Sequence, residues 1–240
     1  MRLIRQIISW PLDFALPRRC AGCGGIQPFI GDFCASCWLQ LDQITGAGCL
    51  RCATPIQEAG LICATCLAHP PDHDGVLAAV DYGPIARRLV LRLKYGRKPQ
   101  FAHVMARLMA RHAAAYPDAL LIPVPLHWTR LWQRGFNQSL LIARCVASHT
   151  GQLVHPQALV RTRRTRPLGR LSQKDRAIEV RGVFRLANGF GSLVQGKDVL
   201  LVDDVYTSGA TANACAKLLK RNGAQSVRIL CWARVVIDAP

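Results

Sequence analysis

The chain has 240 residues, half of them hydrophobic, and its 31 Lys and Arg against 14 Asp and Glu give a formal net charge of +17. Such a composition can bury a core, which excludes a disordered tail, and its charge excludes an acidic solvating protein. The basic excess favours a polyanionic partner or substrate.

The N-terminal segment is a poor signal peptide. Its apolar part, Ile7–Leu16, is interrupted by Pro11 and Asp13, and no small-residue cleavage site follows. No stretch of the chain approaches the roughly 18 uninterrupted apolar residues of a membrane helix. We therefore expect a cytoplasmic protein without a membrane span, whose thiols stay reduced.

Eight of the 11 cysteines form four C-x-x-C knuckles before residue 67, separated by ten, eleven and ten residues. Each knuckle presents two sulfurs to one tetrahedral ion, so four knuckles predict two structural zinc ions. A disulfide framework is the alternative, which the poor signal peptide disfavours. The predicted ligands are Cys20, Cys23, Cys34, Cys37, Cys49, Cys52, Cys63 and Cys66.

The order in which the knuckles pair stays open. Sequential ribbons join the first with the second and the third with the fourth, whereas a cross-brace joins the first with the third and the second with the fourth. The near-repeat of the two halves favours sequential ribbons. His69 and His73 follow the knuckles, but eight thiolates already fill two zinc sites, so we expect surface or linker roles for both histidines.

The boundary between two domains is expected near residues 69–75, where the charge changes. Residues 1–75 carry a net charge of −1 and residues 76–240 one of +18. The basic excess therefore belongs to the second domain. This argues against a function in which the zinc ribbons bind nucleic acid without the second domain. We predict a double zinc ribbon over residues 1–72 and an α/β domain over residues 73–240.

The second domain alternates apolar runs with helical segments, which is the pattern of an α/β fold. A strand, loop, helix and strand near its end form a βαβ unit, so the sheet is predicted to be mainly parallel. In chain order, the predicted elements are strand Val76–Tyr82, a helix from Pro84, helix Phe101–Ala115, strand Ala119–Val124, helix Asn137–Ser148, strand Val183–Leu186, strand Asp198–Val202, helix Ala212–Arg221 and strand Val227–Trp232.

Two acids and a hydroxyl-rich loop follow the strand that ends at Val202. Asp203 and Asp204 stand at its carboxyl end, where open α/β sheets bind ligands, and they would accept hydrogen bonds from a ribose diol. The loop offers hydroxyls and N–H groups at a helix N-terminus, so it is predicted to hold a phosphate; a helix cap alone is the simpler alternative. This phosphate loop is Thr207, Ser208, Gly209, Ala210 and Thr211.

The run VLLVDDVYTSGAT, residues 199–211, resembles the 13-residue signature by which type I phosphoribosyltransferases bind 5-phosphoribosyl 1-diphosphate (PRPP). Residues 93–96, 123–126 and 134–139 are similar to the ComF/GntX family, as is the double zinc ribbon. The resemblance covers nearly the whole chain. It implies the phosphoribosyltransferase fold and a role in competence, which is the handling of incoming single-stranded DNA during natural transformation.

The resemblance also implies roles for individual residues. Asp203 and Asp204 would hold the ribose 2′- and 3′-hydroxyls, and the phosphate loop would hold the 5-phosphate of PRPP or of a related ribose 5-phosphate, with Mg²⁺ bound to the diphosphate. Lys94, Arg130 and Arg134 are the candidates for neutralising the diphosphate.

Residues 161–176 would form the loop that closes over PRPP in active members of the family. Here the sequence departs from the family pattern, because Leu168 replaces the usual Gln and Glu179 replaces the usual Asn. These departures put recognition of a base or nucleophile in question and leave PRPP binding as expected.

Two basic runs point to a second activity. Residues 87–111 contain eight Lys and Arg with no acid, and residues 161–185 contain nine against two acids. A solvated face around a substrate pocket is the simpler interpretation; the functional one is a groove for a single strand, with Tyr95, Trp128, Trp132 and Phe136 as stacking platforms. The candidate nucleic-acid contacts are Arg87, Arg88, Arg92, Arg97, Lys98, Arg161, Arg163, Arg164 and Arg166.

Three functions remain open from the sequence. The first is a PRPP-binding protein that assists single-stranded DNA uptake, with or without turnover. The second is a phosphoribosyltransferase that moves the pentosyl group of PRPP to a small nucleophile, although no residue is an obvious general base. The third is a zinc-ribbon adaptor that docks a DNA-uptake helicase or a membrane channel.

Overall fold

The computed structural model describes residues 18–27, 32–45, 48–96, 98–166 and 171–236. Two short ribbons lead into a larger α/β unit. In chain order, the elements are α1 (Ala35–Leu39), α2 (Ala64–Ala68), β1 (Gly75–Asp81), α3 (Pro84–Tyr95), α4 (Phe101–Ala113), β2 (Leu120–Pro123), α5 (Trp128–Arg134), α6 (Gln138–Thr150), β3 (Leu159–Arg161), α7 (Gln173–Val180), β4 (Phe184–Leu186), α8 (Gly191–Val194), β5 (Asp198–Tyr206), α9 (Ala210–Arg221) and β6 (Ser226–Arg234).

Four parallel strands form the central sheet in the order β1-β6-β5-β2. β5 lies inside this sheet, and its apolar run, residues 199–202, is fully buried, as expected for a strand covered on both faces. β3 and β4 form a separate antiparallel pair. The predicted α/β class with a mainly parallel sheet is confirmed.

Helices cover the two faces of the sheet, and each face has its own apolar core. On one face, α3, α4 and α6 bury Leu89, Met105 and Ile142 against the sheet. On the other face, α9 buries Leu219, and the β3–β4 pair adds Phe184. Because β2 and β5 are parallel neighbours, the loops that follow them lie side by side at the carboxyl end of the sheet.

The strand that carries the acid pair is longer than the sequence predicts. β5 continues to Tyr206 because Asp203, Val205 and Tyr206 remain in register with β6. The two acids therefore lie within the paired part of β5, near its carboxyl end, and the pairing with β6 holds their backbone in place. The sequence analysis also missed α5, a helix of seven residues without a buried side chain, because a helical period is recognised only over a longer window.

The two ribbons are close copies of each other, with each cysteine of the first matched by one 29 residues later. In both, the residue after the knuckle has left-handed backbone: Gly24 has φ +85° and Ala53 has φ +56°. This conformation turns the chain back, so that Cys20 N donates to Gly25 O and Cys49 N donates to Thr54 O, both at 2.8 Å.

The ribbons sit against the outer edge of the sheet. Asp81 N of β1 donates to Asp42 O at 2.8 Å, and Ile44 N donates to Ala79 O at 3.3 Å. The chain between the ribbons thus covers an edge strand that would otherwise expose its amides and carbonyls.

α3 fastens the first ribbon through two arginines. Arg88 donates to Gly22 O at 2.9 Å and Arg92 donates to Ala21 O at 3.0 Å. Both guanidinium groups thereby help to hold the ribbon, a role that the sequence, which offers them as nucleic-acid contacts, does not indicate. Within the described ranges, no helix is long and apolar enough to cross a membrane.

Candidate functional site

The knuckle thiols gather in two clusters, and in each cluster the four Sγ atoms lie within 4.8 Å of one another. The first cluster joins the first and second knuckles and the second joins the third and fourth, which is the sequential pairing and not the cross-brace. The thiols are free rather than disulfide-bonded. The clusters are Cys20, Cys23, Cys34 and Cys37, and Cys49, Cys52, Cys63 and Cys66.

The distances between sulfurs fit zinc. Tetrahedral bonds of about 2.3 Å from the metal to sulfur separate neighbouring sulfurs by about 3.8 Å. The Sγ atoms of Cys23 and Cys34 are 3.9 Å apart, and those of Cys52 and Cys63 are 3.7 Å apart. Both clusters therefore have the size of a structural zinc site.

The charges of the clusters fit zinc as well. Cys34 N donates to Cys20 Sγ at 3.2 Å and Cys63 N donates to Cys49 Sγ at 3.3 Å. Burial opposes ionisation, but these and neighbouring amides outweigh it and lower the pKa of Cys20 and Cys49 to about 6. Burial and the adjacent thiols raise the pKa of Cys37 to about 12, so four thiolates can coexist only around a cation.

The acid pair at the end of β5 is held by two other elements. Ser139 Oγ of α6 donates to Asp203 Oδ1 at 3.0 Å, and Lys94 Nζ of α3 lies 2.5 Å from Asp204 Oδ2. Asp204 N also donates to Asp203 Oδ1 at 2.9 Å. Lys94, which the sequence analysis predicts to neutralise the diphosphate, thus forms an ion pair with Asp204, one of the two acids predicted to bind the ribose.

The electrostatics of this group differ from those of ordinary surface acids. Burial, with the negative charge of Asp204 beside it, raises the pKa of Asp203 to about 7. Burial alone would lower the pKa of Lys94, but attraction to Asp204 and Asp203 raises it above its ordinary value. The acid pair therefore lies beside the ammonium group of Lys94, and one of its two carboxyl groups, that of Asp203, titrates near neutrality.

The phosphate loop forms a tight turn before α9. Gly209 is the N-cap of α9 and has φ +73°, a conformation that glycine adopts without strain. A Cβ at this position would lie 2.9 Å from Tyr206 Cζ. A cavity of about 50 Å³ opens here, lined by Asp203, residues 205–212 and Ile229. Its N–H groups and hydroxyls at the start of a 12-residue helix suit a phosphate.

Tyr206 supports the loop from below and links it to the chain between the ribbons and the sheet. Its hydroxyl shares a hydrogen bond of 3.0 Å with His73 Nε2. His73 is completely buried, and burial lowers its pKa to about 4, so this histidine lies in the linker, as expected, but not on the surface. His69 is exposed, as expected.

The second ribbon contacts the strand next to Tyr206. Arg234, which pairs in register with Tyr206, donates to Cys52 O and to Thr54 Oγ1, and its Nη2 lies 3.5 Å from Cys52 Sγ. Sequence reasoning missed Arg234, His73 and Tyr206, because each acts through a contact that joins distant parts of the chain.

The two arginines predicted for the diphosphate flank the loop that follows β2. Arg130 Nη2 donates to Thr165 O at 3.3 Å, and Arg134 Nη1 donates to Gln138 Oε1 at 3.0 Å. Asn137 caps α6 and its Nδ2 donates to Val124 O at 3.1 Å, which fixes this loop beside β5. Asn137 and Ser139 lie in the run Arg134–Ser139, whose resemblance to a family was the available signal for them.

The structure divides the predicted nucleic-acid contacts. Arg87, Lys98 and Arg164 are exposed, whereas Arg161 is buried and donates to Thr165 Oγ1. Arg163 donates to the carbonyls of residues 179 and 181. Arg166 pairs with Glu179, and Arg97 lies outside the described residues, as does Leu168.

Two family models match the chain. The first, described as "Double zinc ribbon domain", matches residues 11–67, and the second, described as "Phosphoribosyl transferase domain", matches residues 139–237. The matches support structural zinc in the two thiol clusters and the phosphoribosyltransferase fold of the α/β unit.

Three curated proteins illustrate the similarity. "DNA utilization protein YhgH" of Salmonella typhi is 35% identical over 195 residues, which cover 78% of this chain and 84% of that protein. "Competence protein F" of Haemophilus influenzae is 28% identical over 225 residues, covering 90% and 96%. "Competence protein ComFC" of Bacillus subtilis is 28% identical over 201 residues, covering 79% and 78%.

Removal of zinc should unfold the ribbons and spare the α/β unit. Their buried apolar side chains are mainly cysteine and alanine, and zinc contributes on the order of 10 kcal/mol to such small folds. Hydrogen exchange should show that a chelator removes protection from amides in residues 18–67 while β5 and β6 stay protected. Cys20→Ser should act like the chelator on the first ribbon, whose cluster contains Cys20, and Cys145→Ser should not. Protected ribbon amides after complete loss of metal would contradict this.

Asp203→Asn should stabilise the protein at pH 8 and have little effect near pH 4. The pKa of Asp203 in the fold is about 7, above the ordinary value of about 3.9, so the free energy of unfolding falls as pH rises between these values. The amide cannot ionise and so removes that loss, which is on the order of 4 kcal/mol for these two pKa values. Urea unfolding at both pH values measures it, with Asp198→Asn, at the other end of β5, as control. An equal effect of Asp203→Asn at both pH values would refute the assignment.

Proposed function

Because the chain belongs to the ComF/GntX family, in which a double zinc ribbon precedes a phosphoribosyltransferase domain, we propose that it binds PRPP with Mg²⁺ and assists single-stranded DNA uptake in natural transformation. We propose that it does so in the cytoplasm, as two units, residues 1–72 and 73–240. The observation that carries the PRPP part is the acid pair at the end of β5 beside the Gly209 turn.

The acid pair suits a ribose diol. Ser139 and Lys94 occupy one oxygen each of Asp203 and Asp204, and a carboxylate oxygen accepts more than one hydrogen bond. The 2′- and 3′-hydroxyls of a ribose would donate to this pair, while residues 207–211 would hold its 5-phosphate. A helix cap alone does not account for Asp203 and Asp204, because neither carboxylate caps α9, whose N-cap is Gly209. A bound sugar phosphate accounts for the acids and for the glycine.

The diphosphate would lie between the loop after β2 and Lys94. Arg130 and Arg134 bring two guanidinium groups to that loop, and Mg²⁺, when bound, neutralises further charge on the diphosphate. Lys94 would then be shared between Asp204 and the diphosphate. Arg166 and Glu179 tie the loop 161–166 to α7, where the family usually has Asn in place of Glu179.

Transfer to a small nucleophile is the second candidate, and the raised pKa of Asp203 favours it. In such a transfer, the nucleophile forms a bond to ribose C1, the bond from C1 to the diphosphate oxygen breaks, and pyrophosphate leaves. The proton of the nucleophile would pass to the Asp203 carboxylate, whose pKa of about 7 suits a general base. Pyrophosphate release that depends on an added nucleophile, and that both Asp204→Asn and Asp203→Asn abolish, tests this candidate.

The DNA part of the proposal draws on the charge of the α/β unit and on the relatives, whose printed names are DNA utilization protein and competence protein. A helicase or channel would dock on the ribbons, where Trp38 and Leu67 are exposed at matching positions of α1 and α2.

PRPP binding should be measurable by calorimetric titration in the presence of Mg²⁺. Asp203→Ala should weaken it roughly ten- to a hundredfold, because hydrogen bonds to a charged group each contribute about 1.5–3 kcal/mol. Gly209→Ala should weaken it too, because its Cβ has no room beside Tyr206. Asp198→Ala, in the same strand but at its far end, is the matched control. Unchanged PRPP affinity in both site variants would contradict the proposed site.

DNA binding should follow the salt dependence of a single strand. The logarithm of the affinity for an oligonucleotide should fall with log salt at a slope of roughly −0.7 for each phosphate contacted. The titration uses the full zinc-loaded chain and fluorescence anisotropy. No binding at low salt would remove the DNA part of the proposal and leave the PRPP part standing.

A further inference from the structure

α5 exposes large apolar side chains near the site. Trp128 is 70% exposed, Trp132 is 86% exposed and Leu131 is also exposed. The two tryptophans are four residues apart, so their rings project from one side of the helix about one 5.4 Å turn apart. Large aromatic side chains concentrated on a surface in this way indicate a binding face.

α5 presents these rings from a fixed position. His127 caps the helix by accepting from Thr129 N, and Gly135 ends it with left-handed backbone. Arg130 ties the middle of the helix to Thr165 O, and Asn137 ties the following turn to Val124 O. The aromatic face is therefore held by its ends and its inner side, which leaves the outer side available to a partner.

Cations surround this face. The Arg134 guanidinium lies 5.4 Å from the centre of the Tyr95 ring, which is 69% exposed. Burial, with repulsion from Arg134 and Arg164, lowers the pKa of Arg130, as expected where positive charges gather. Lys94 and Ser139 already contact the two acids of the site, Asp204 and Asp203.

We infer that the α5 face with Trp128 and Trp132, together with Tyr95 of α3 beside Arg134, is a base-stacking surface for single-stranded nucleic acid, with Arg130, Arg134 and Arg164 on its phosphates. The inference rests on the proposed function in that a single strand is the partner. It adds where the strand lies, which is at the rim of the PRPP site.

The chemistry of the face selects this occupant over two others. Aromatic rings flanked by cations match a chain of flat bases joined by phosphates, and only a single strand has base faces free to stack on them. A duplex keeps its bases stacked on each other. A second copy of this chain would bring another charge of +17 to the same surface, which repulsion disfavours.

The test compares base and abasic oligonucleotides on the full zinc-loaded protein. Wild type should bind a labelled dT oligonucleotide of about 16 nucleotides more tightly than an abasic strand of the same length. Trp128→Ala with Trp132→Ala should lose at least tenfold in affinity for dT, since each stacked base contributes about a tenfold factor or more. The double variant should bind the abasic strand as the wild type does.

Three further variants separate stacking from charge and from misfolding. Trp128→Phe with Trp132→Phe should retain most of the affinity, because a ring remains. Arg130→Gln should reduce the salt slope by roughly 0.7, whereas the tryptophan variants should leave it unchanged. Trp38→Ala, an exposed tryptophan in the ribbon, is the matched control and should bind both strands normally. The double alanine variant should unfold at the temperature of the wild type.

The outcomes are distinct. Equal affinity of wild type and the double alanine variant for dT would overturn the inference while the proposed DNA role stood. An equal loss on dT and on the abasic strand would also overturn it, because stacking would not be the cause. A change of oligomeric state in the double variant with unchanged DNA affinity would assign α5 to contacts between copies. Absence of DNA binding by the wild type would remove the DNA role itself.

Discussion

Two adjacent carboxylates at the end of an interior strand repel each other, and the elements around β5 are placed so that the pair can exist. Ser139 reaches Asp203 from the start of α6, and Lys94 reaches Asp204 from the last turn of α3. Neither partner belongs to the βαβ unit that carries the acids, so the pair draws together helices that follow β1 and β2. Leaving such acids with incomplete pairing costs stability, and proteins retain that arrangement where a ligand supplies the missing donors. A ribose diol has the two donors that this geometry lacks.

The zinc ribbons take part in the same construction. Cys52 and Thr54 accept from Arg234, which stands in register with Tyr206. Tyr206 fills the space below Gly209 and shares a hydrogen bond with His73, in the chain that leads from the ribbons into β1. The arginines of α3 hold the first ribbon in addition. These contacts explain why a metal-binding module with few apolar side chains stays on one edge of a large sheet. The ribbon region covers β1, and the second ribbon lies next to the residues that support the phosphate loop.

Much of this could be predicted from the sequence where the signal is local. The C-x-x-C spacing predicted two four-thiolate sites, and the apolar run before Asp203 predicted the buried strand of a parallel sheet. α5 was not predicted because its seven residues are too few to show a helical period, and β5 was predicted too short because two acids follow Val202 although the strand still pairs with β6. The basic runs could not be interpreted from sequence alone, because arginines with different roles alternate within them. Arg88 and Arg161 donate hydrogen bonds within the chain, and only these side-chain contacts distinguish them from the exposed Arg87 and Arg164. The burial of His73 in the linker was missed because its partner, Tyr206, lies 133 residues away.

The most direct measurement of the central claim is a crystal structure of the full chain grown with PRPP and Mg²⁺. In that structure the 5-phosphate should lie against the backbone of residues 207–211, the ribose hydroxyls should lie on Asp203 and Asp204, and the diphosphate should lie near Arg130 and Arg134. A structure with the ligand bound elsewhere, or with Lys94 and Ser139 still closing off an empty acid pair at saturating ligand, would contradict it.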